Sequence, residues 1–269
     1  MKVVKASDVV LEVIDARDPL GTRCQEVEQQ ILKLDPNKKI VLVMNKIDLV
    51  PKANMMQWLQ YLRAELPTVA FKATTSKRRP KLGLKTSVPI QLADPSSTSG
   101  CIGASTLMSL LKNYTRTPGG GKKNITVGII GYPNVGKSSL INSLKRERAV
   151  GVGAMPGFTR NAQQVQLDKH ITLYDSPGII FASNSSEAEA VLHNSVKLQD
   201  VTDVIAPVEL ILQRTPREQL QQLYNIPAFS KTQEFLAHVA ERRGRYKQGG
   251  VLDLEGAARV VLQDWTNGK

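Results

Sequence analysis

The run Gly131-Tyr132-Pro133-Asn134-Val135-Gly136-Lys137-Ser138 has the order G-x-x-x-x-G-K-[ST]. It leaves an apolar stretch, Thr126–Ile130, and opens a helical pattern through Leu140, Ile141 and Leu144. Glycines at those places let the backbone amides from Asn134 through Val135 and Gly136 to Ser139 curl around phosphate oxygens. Lys137 has the reach to meet β- and γ-phosphates, and the Ser138 hydroxyl is placed to ligate Mg²⁺. Downstream, Asp175-Ser176-Pro177-Gly178 follows a second apolar run, Ile171–Tyr174. A carboxylate there holds Mg²⁺ through water, and the Gly178 amide contacts a γ-phosphate. D-x-x-G arises by chance about once in any chain of this length. Its weight here comes from lying 38 residues after Lys137, at the end of a strand.

Asn45-Lys46-Ile47-Asp48 closes a third apolar run, Ile40–Met44. One carboxylate at Asp48 accepts both the N1–H and the exocyclic N2–H₂ of guanine, a donor pair adenine lacks, and a base that left it unpaired would be strongly rejected. N-K-x-D occurs by chance in about one chain in thirty, and together with the phosphate loop in roughly one in a few thousand. These are the guanine, phosphate and magnesium motifs of GTPases, but the guanine motif comes first, as in circularly permuted GTPases. In that order the backbone segment against the base follows Thr68–Phe71, at Lys72-Ala73-Thr74, with Ala73 and Thr74 as contacts. The switch threonine lies between the phosphate loop and D-x-x-G, where Gly157-Phe158-Thr159-Arg160 offers Thr159 as a further Mg²⁺ ligand.

The resemblance extends beyond these motifs. D-A-R-D-P at 15–19, the loop and helix G-Y-P-N-V-G-K-S-S-L-I-N-S-L, G-F-T-R and D-S-P-G-I resemble the nucleolar permuted GTPases. G-G-V-L-D-L-E-G-A-A-R-V-V-L-Q-D-W at 249–265 resembles the nucleostemin and nucleostemin-like branch, which includes the fungal nuclear GTPases of large-subunit export. The likeness covers nearly the whole chain. It implies a protein of the nucleolus or nucleus that uses GTP, GDP and Mg²⁺ in maturation of the large (60S) ribosomal subunit. The implied partners are the pre-60S particle, its rRNA and other nucleolar proteins. The family's basic N-terminal region is missing and the chain stops after Trp265–Lys269, so an excised core is expected, with nucleolar targeting and part of the RNA affinity outside it.

The position after D-x-x-G, where Ras-type enzymes carry a water-orienting glutamine, is Ile179. A side chain that neither donates nor accepts predicts slow intrinsic hydrolysis. Asn134 resembles the asparagine of potassium-dependent GTPases, in which K⁺ between the α- and γ-phosphates neutralises developing charge. The catalytic set expected is therefore Thr159, Gly178 and Asn134, with K⁺ as a second metal. Two other classes compete with the switch. One is an RNA- or protein-binding scaffold that holds GTP structurally; the other is a regulator that sequesters nucleoplasmic proteins.

The elements that must position these motifs alternate. Apolar runs at Val9–Ile14, Ile40–Met44 and Thr68–Phe71 are interleaved with helical patterns through Val27, Ile31 and Leu34 and through Met55, Trp58, Leu59 and Leu62. A further helix is expected around Ala104–Tyr114, and strands at Thr126–Ile130, Ala162–Leu167 and Ile171–Tyr174. This predicts an α/β permuted P-loop domain, 1–184, with a mostly parallel sheet and helices on both faces. Residues 76–100 read as a long mobile basic loop. Beyond 184 only helical periods remain, the clearest through Leu254, Ala257, Ala258, Val261, Leu262 and Trp265 with Asp253 as N-cap, so 185–269 is expected to be a small all-helical domain.

Charge is unevenly spread. The net charge is +12, yet residues 1–50 balance eight basic against eight acidic groups, 51–178 carry 18 against 5, and 179–269 carry 10 against 11. Residues 72–123 hold ten basic groups against Asp94 alone, which favours a polyanion partner; Lys77, Arg78, Arg79, Lys81 and Lys85 read either as rRNA phosphate contacts or as a solvated tether. Arg242, Arg243, Arg245 and Lys247 form a second local patch. Two cysteines exclude a disulfide scaffold, and with only three scattered histidines they argue against a structural zinc site. With no leader pattern and no long apolar run, the expectation is a soluble intracellular monomer without membrane partners.

Overall fold

The computed structural model describes residues 2–73, 100–117, 119–145, 163–175, 187–193, 196 and 198–267. The apolar runs become strands β1 (Val9–Asp15), β2 (Lys39–Asn45), β3 (Thr68–Ala70), β4 (Ile125–Ile130), β5 (Gln163–Asp168) and β6 (Ile171–Asp175). They form one sheet in the order β3-β2-β1-β4-β6-β5. Every neighbouring pair is parallel except β5 with β6. The chain splits into two compact units, 1–181 and 182–269.

The first unit contains helices α1 (Lys2–Lys5), α2 (Gln25–Leu34), α3 (Lys52–Arg63), α4 (Ala104–Thr115) and α5 (Lys137–Lys145). Parallel strands buried on both faces read as continuous apolar runs, and all seven residues of β1 are buried. The β1–β2 register puts Glu12 beside Leu42 and Ile14 beside Met44 on one face, Leu11 beside Val41 and Val13 beside Val43 on the other. Met55, Leu59 and Leu62 of α3 pack with Ile14, Leu42 and Met44. Leu107 and Leu111 of α4 and Leu140 and Ile141 of α5 join the core containing Leu11, Val13, Val41 and Val43.

The stripe expected on α2 is corrected at its last member. Val27 and Ile31 are buried but Leu34 is 52% exposed. Leu34 is the last residue of α2; earlier in the helix the buried polar residue is Glu28, whose carboxylate accepts from Arg23 Nε at 2.6 Å and Nη2 at 2.8 Å. Arg23 also donates to Glu65 at 2.7 Å, so a nearly sealed guanidinium ties the start of α2 to the end of α3. Glu12, fully buried in β1, accepts from the Cys24 N–H at 2.5 Å through Oε1. Burial and the nearby Glu28 charge push Glu12 up to about 8. A proton on Glu12 therefore persists at neutral pH, and its second oxygen, Oε2, is buried with no hydrogen-bond partner.

The second unit is built of α6 (Glu187–Leu192), α7 (Ile205–Arg214), α8 (Arg217–Tyr224), α9 (Thr232–Arg242) and α10 (Leu254–Thr266). Phe235, Leu236 and Val239 of α9 meet Ala257, Ala258, Val261 and Leu262 of α10 in one core, with Leu254 and Trp265 half-buried at its edge. The rings of Phe229 and Phe235 lie 4.9 Å apart. Asp253 caps α10 by accepting from the Gly256 N–H at 3.0 Å. Among the described residues no helix is long and apolar enough to cross a membrane.

Candidate functional site

In open α/β sheets, ligands sit beyond the carboxyl ends of the parallel strands, where backbone groups are left over and the loops are free to vary. Four segments of the first unit meet that description: Asp15–Asp18 after β1, Asn45–Asp48 after β2, Phe71–Ala73 after β3, and Gly131–Ser138 between β4 and α5. Their union is dictated by register, because Asp15 lies opposite Asn45 and Glu12 opposite Ile130.

The phosphate loop needs backbone freedom at two glycines. Gly131 has φ +139° and Gly136 φ +99°; a side chain at Gly131 would strike the Val13 carbonyl, and one at Gly136 the Asn45 amide. Asn134 also takes the left-handed region, φ 59°, which asparagine tolerates better than most residues. Lys137 is buried, with its Nζ donating to the Gly131 carbonyl at 3.0 Å and the Tyr132 carbonyl at 2.7 Å. A turn of amides around one sequestered ammonium, at the N-terminus of a nine-residue helix, is a fitting cradle for a di- or triphosphate.

Asn45 joins this loop to the guanine motif. It is buried, and its Nδ2 donates to the Val135 carbonyl at 2.8 Å, across 90 residues of sequence. Its Oδ1 is buried with no hydrogen-bond donor. Lys46 adopts the left-handed region, φ 62°, and starts the 3-10 turn Ile47–Leu49 that carries Asp48. Its ammonium donates to Asp15 Oδ2 at 2.8 Å. Burial lowers the Lys46 pKa, and the charge of Asp15 acts against that. Asp48 keeps a partly exposed carboxylate, 3.9 Å from Lys72 Nζ. Lys72 is aligned by an antiparallel bridge with Ile102, and Ala73 follows it, half-buried against the core.

Asp15 and Arg17 are the site residues that motif reading missed. The D-A-R-D-P run carried only a likeness; the structure gives it work. Arg17 donates to Asp15 through its backbone N–H (3.0 Å), Nε (3.0 Å) and Nη2 (2.7 Å). Asp18 accepts from the Gly21 N–H at 2.9 Å, and Thr22 accepts from the Asp15 N–H at 2.9 Å, which closes the loop tightly. Burial raises the Asp15 pKa, but hydrogen bonds from Arg17 and the charges of Lys46 and Arg17 outweigh it and hold it at about 2. The Asp15 carboxylate is thus ionised throughout the physiological range. The available signal was positional: an acid at a strand end beside the strand that carries N-K-x-D.

Of the expected metal ligands, Ser138 lies in the first turn of α5, and the Asp175 backbone ends β6 opposite Ile129 of the strand feeding the phosphate loop. That register fits a Mg²⁺ site shared by the two strand ends. Thr74, Thr159, Gly178 and Ile179 lie outside the described residues, as does the segment 76–99. In the second unit, Arg243 is 3.6 Å from Asp264, and Lys247 is 3.9 Å from both Asp253 and Glu255. The basic patch proposed there is therefore partly matched by its own acids.

A family model described as 50S ribosome-binding GTPase matches residues 126–239. The chain is 50% identical to the guanine nucleotide-binding protein-like NSN1 of Arabidopsis thaliana, over all of this chain and 46% of that protein. It is 51% identical to the guanine nucleotide-binding protein-like 3-like protein of Bos taurus over the same shares. With the human guanine nucleotide-binding protein-like 3 it shares 42% over 98% of this chain and 47% of that one. The chain thus spans about half the length of the curated relatives it matches. Among solved structures it is similar to GNP-bound YlqF from T. maritima, with TM-score 0.62 and 22% identity over the whole chain and 91% of that one. The GDP-bound form superposes with TM-score 0.64 and 21% identity, covering 93% of that chain.

Proposed function

Because the chain belongs to the nucleostemin-like branch of the circularly permuted GTPases, we propose that it is a guanine-nucleotide switch that binds GTP, hydrolyses it slowly, and serves assembly of the 60S ribosomal subunit. The observation that carries the nucleotide part is the Asn45–Val135 hydrogen bond, which locks the guanine motif onto the phosphate loop. Lys137 and the loop amides hold the β- and γ-phosphates, and Asp48 reads the guanine edge with Ala73 and Thr74 behind the base. Ser138, Thr159 and Asp175 would hold Mg²⁺, which when bound neutralises charge developing on the transferred phosphoryl group. Asn134 is the candidate contact for K⁺, and Gly178 the γ-phosphate sensor.

Ile179 supports slow turnover, since it cannot orient a water molecule. The chain passes from β6 into the second unit within a few residues, which supports a switch that moves 185–269 when γ-phosphate is bound. The basic balance of residues 51–178 supports rRNA as the polyanion. The proposed location is the nucleolus, and the proposed solution state is a monomer that engages the pre-60S particle and nucleolar proteins.

The test is co-sedimentation with large ribosomal subunits without nucleotide, with GDP and with a non-hydrolysable GTP analogue, alongside hydrolysis assays in KCl and in NaCl. The switch reading expects tighter sedimentation with the analogue, slow hydrolysis that KCl stimulates, and loss of both in Lys137→Ala. Binding that is indifferent to nucleotide, with negligible hydrolysis in either salt, would instead establish a scaffold that holds GTP structurally.

A further inference from the structure

Lys46 and Asp48 belong to one tight turn, two residues apart, so an ammonium and the carboxylate meant to read a base are close neighbours by construction. The Asp48 charge is felt at Lys46. Lys46 nevertheless points to Asp15, at 2.8 Å. Asp15 cannot follow it elsewhere: it is buried, its backbone N–H is bonded to Thr22, and its carboxylate accepts three bonds from Arg17. The neighbouring Ala16 N–H donates to the Asn45 carbonyl at 2.9 Å, which pins this loop to the strand end that carries Lys46.

We propose that Asp15, clamped by Arg17, sets guanine selectivity by holding the Lys46 ammonium away from Asp48, so that Asp48, which meets Lys72 Nζ only at a loose 3.9 Å, keeps its carboxylate available to accept the N1–H and N2–H₂ of the base. Asp15 is a positioning residue: it acts through Lys46 and does not touch the nucleotide. The inference rests on the guanine-binding reading above. Its physical core is a competition for one carboxylate. With Asp15 uncharged, the nearest remaining carboxylate for Lys46 is Asp48, and an ion pair there competes with the two base donors. A hydrogen bond to a charged acceptor is worth about 10- to 100-fold in affinity, and the donor that inosine lacks is the exocyclic amine.

The readout is the ratio of GDP to IDP affinity, measured by titration of fluorescently labelled nucleotides into the full chain. Wild type is expected to prefer GDP by about tenfold or more. Asp15→Asn keeps the size and an acceptor oxygen for Arg17; it is expected to bring the ratio below about threefold, with a larger loss for GDP than for IDP. Adding Lys46→Met to Asp15→Asn removes the competing ammonium, so the ratio should return to that of Lys46→Met alone. Arg17→Ala, which leaves the Asp15–Lys46 pair but loosens Asp15, should lower the ratio by an intermediate factor and provides the reading if Asp15→Asn does not fold.

A merely structural role for Asp15 predicts equal losses for GDP and IDP and no rescue by Lys46→Met; either result overturns the proposal. An unchanged ratio in Asp15→Asn, or in Arg17→Ala where that variant supplies the reading, overturns it as well. A wild type that binds neither nucleotide, or binds both equally, would overturn the guanine reading itself. The two failures are therefore distinguishable.

Discussion

Replacing Glu12 by Gln should stabilise the protein, by an amount that grows with pH. Glu12 is an acid in the middle of the central strand, with one oxygen on the Cys24 N–H and the other buried without a hydrogen-bond partner, within reach of the Glu28 charge. Burial and the Glu28 charge raise it from the ordinary 4.5 to about 8. The folded state therefore holds a proton that the unfolded chain releases. The sign follows: with more protons bound when folded, stability is fully present below about pH 4.5 and is lost as pH rises toward 8. Each unit between those values costs about 1.4 kcal/mol for a fully linked proton, so moving from pH 5.5 to 7.5 removes up to about 3 kcal/mol. A glutamine keeps the acceptor for Cys24 and carries no proton to lose. Urea unfolding at pH 5.5, 6.5 and 7.5 should show a declining wild-type stability and a flatter line for Glu12→Gln, diverging by a few kcal/mol at the upper end. Parallel lines would show that Glu12 is ionised in the folded protein, and the buried proton on it would have to be abandoned.

Gly136→Ala should weaken GDP binding at least tenfold in a fluorescence titration, because φ +99° disfavours a side chain and the new methyl lands on the Asn45 amide; wild-type affinity would contradict that geometry. Arg23→Met should cost about 3–5 kcal/mol in urea unfolding, since it leaves the buried Glu28 without its partner. A cost under 1 kcal/mol would mean that Glu28 is satisfied without Arg23. Asp253→Ala should lower the stability of the second unit by about 1 kcal/mol, through loss of the α10 cap, with no effect on nucleotide affinity. Helical circular dichroism against temperature checks the first part and a GDP titration the second.

How much of this was legible beforehand depended on the range over which each feature is encoded. The phosphate loop, N-K-x-D and D-x-x-G are local, and the permuted order is visible as soon as the three are placed along the chain. The strands announced themselves because parallel strands covered on both faces need unbroken apolar runs. What stayed hidden was made by pairing distant segments. Lys46 meets Asp15 across 31 residues and Asn45 meets Val135 across 90, and neither partner carries a mark of that choice in its own neighbourhood. Leu34 failed as a core residue for a related reason: periodicity treats every apolar residue on a stripe alike, and carries no mark that α2 ends at Leu34 with that side chain exposed. Glu12 passed as part of an apolar run although it is an acid, because its neighbours alone make the strand.

The strand order has a further consequence during synthesis. β1 sits in the middle of the finished sheet, yet it is made before the sheet's other five strands, and its partner β4 pairs Val9 with Val127. A ribosome adding about 5–20 residues per second needs roughly 6–24 s to travel between them. During that interval β1, β2 and β3 can assemble as a half-sheet that carries the base-reading turn, while the long apolar side of β1 stands open as an unpaired edge. Such an edge invites pairing with other chains. The permutation thus fixes the order of birth: the half that reads the base is made before the half that holds the phosphates, and the nascent chain must keep its central strand covered until the second half arrives.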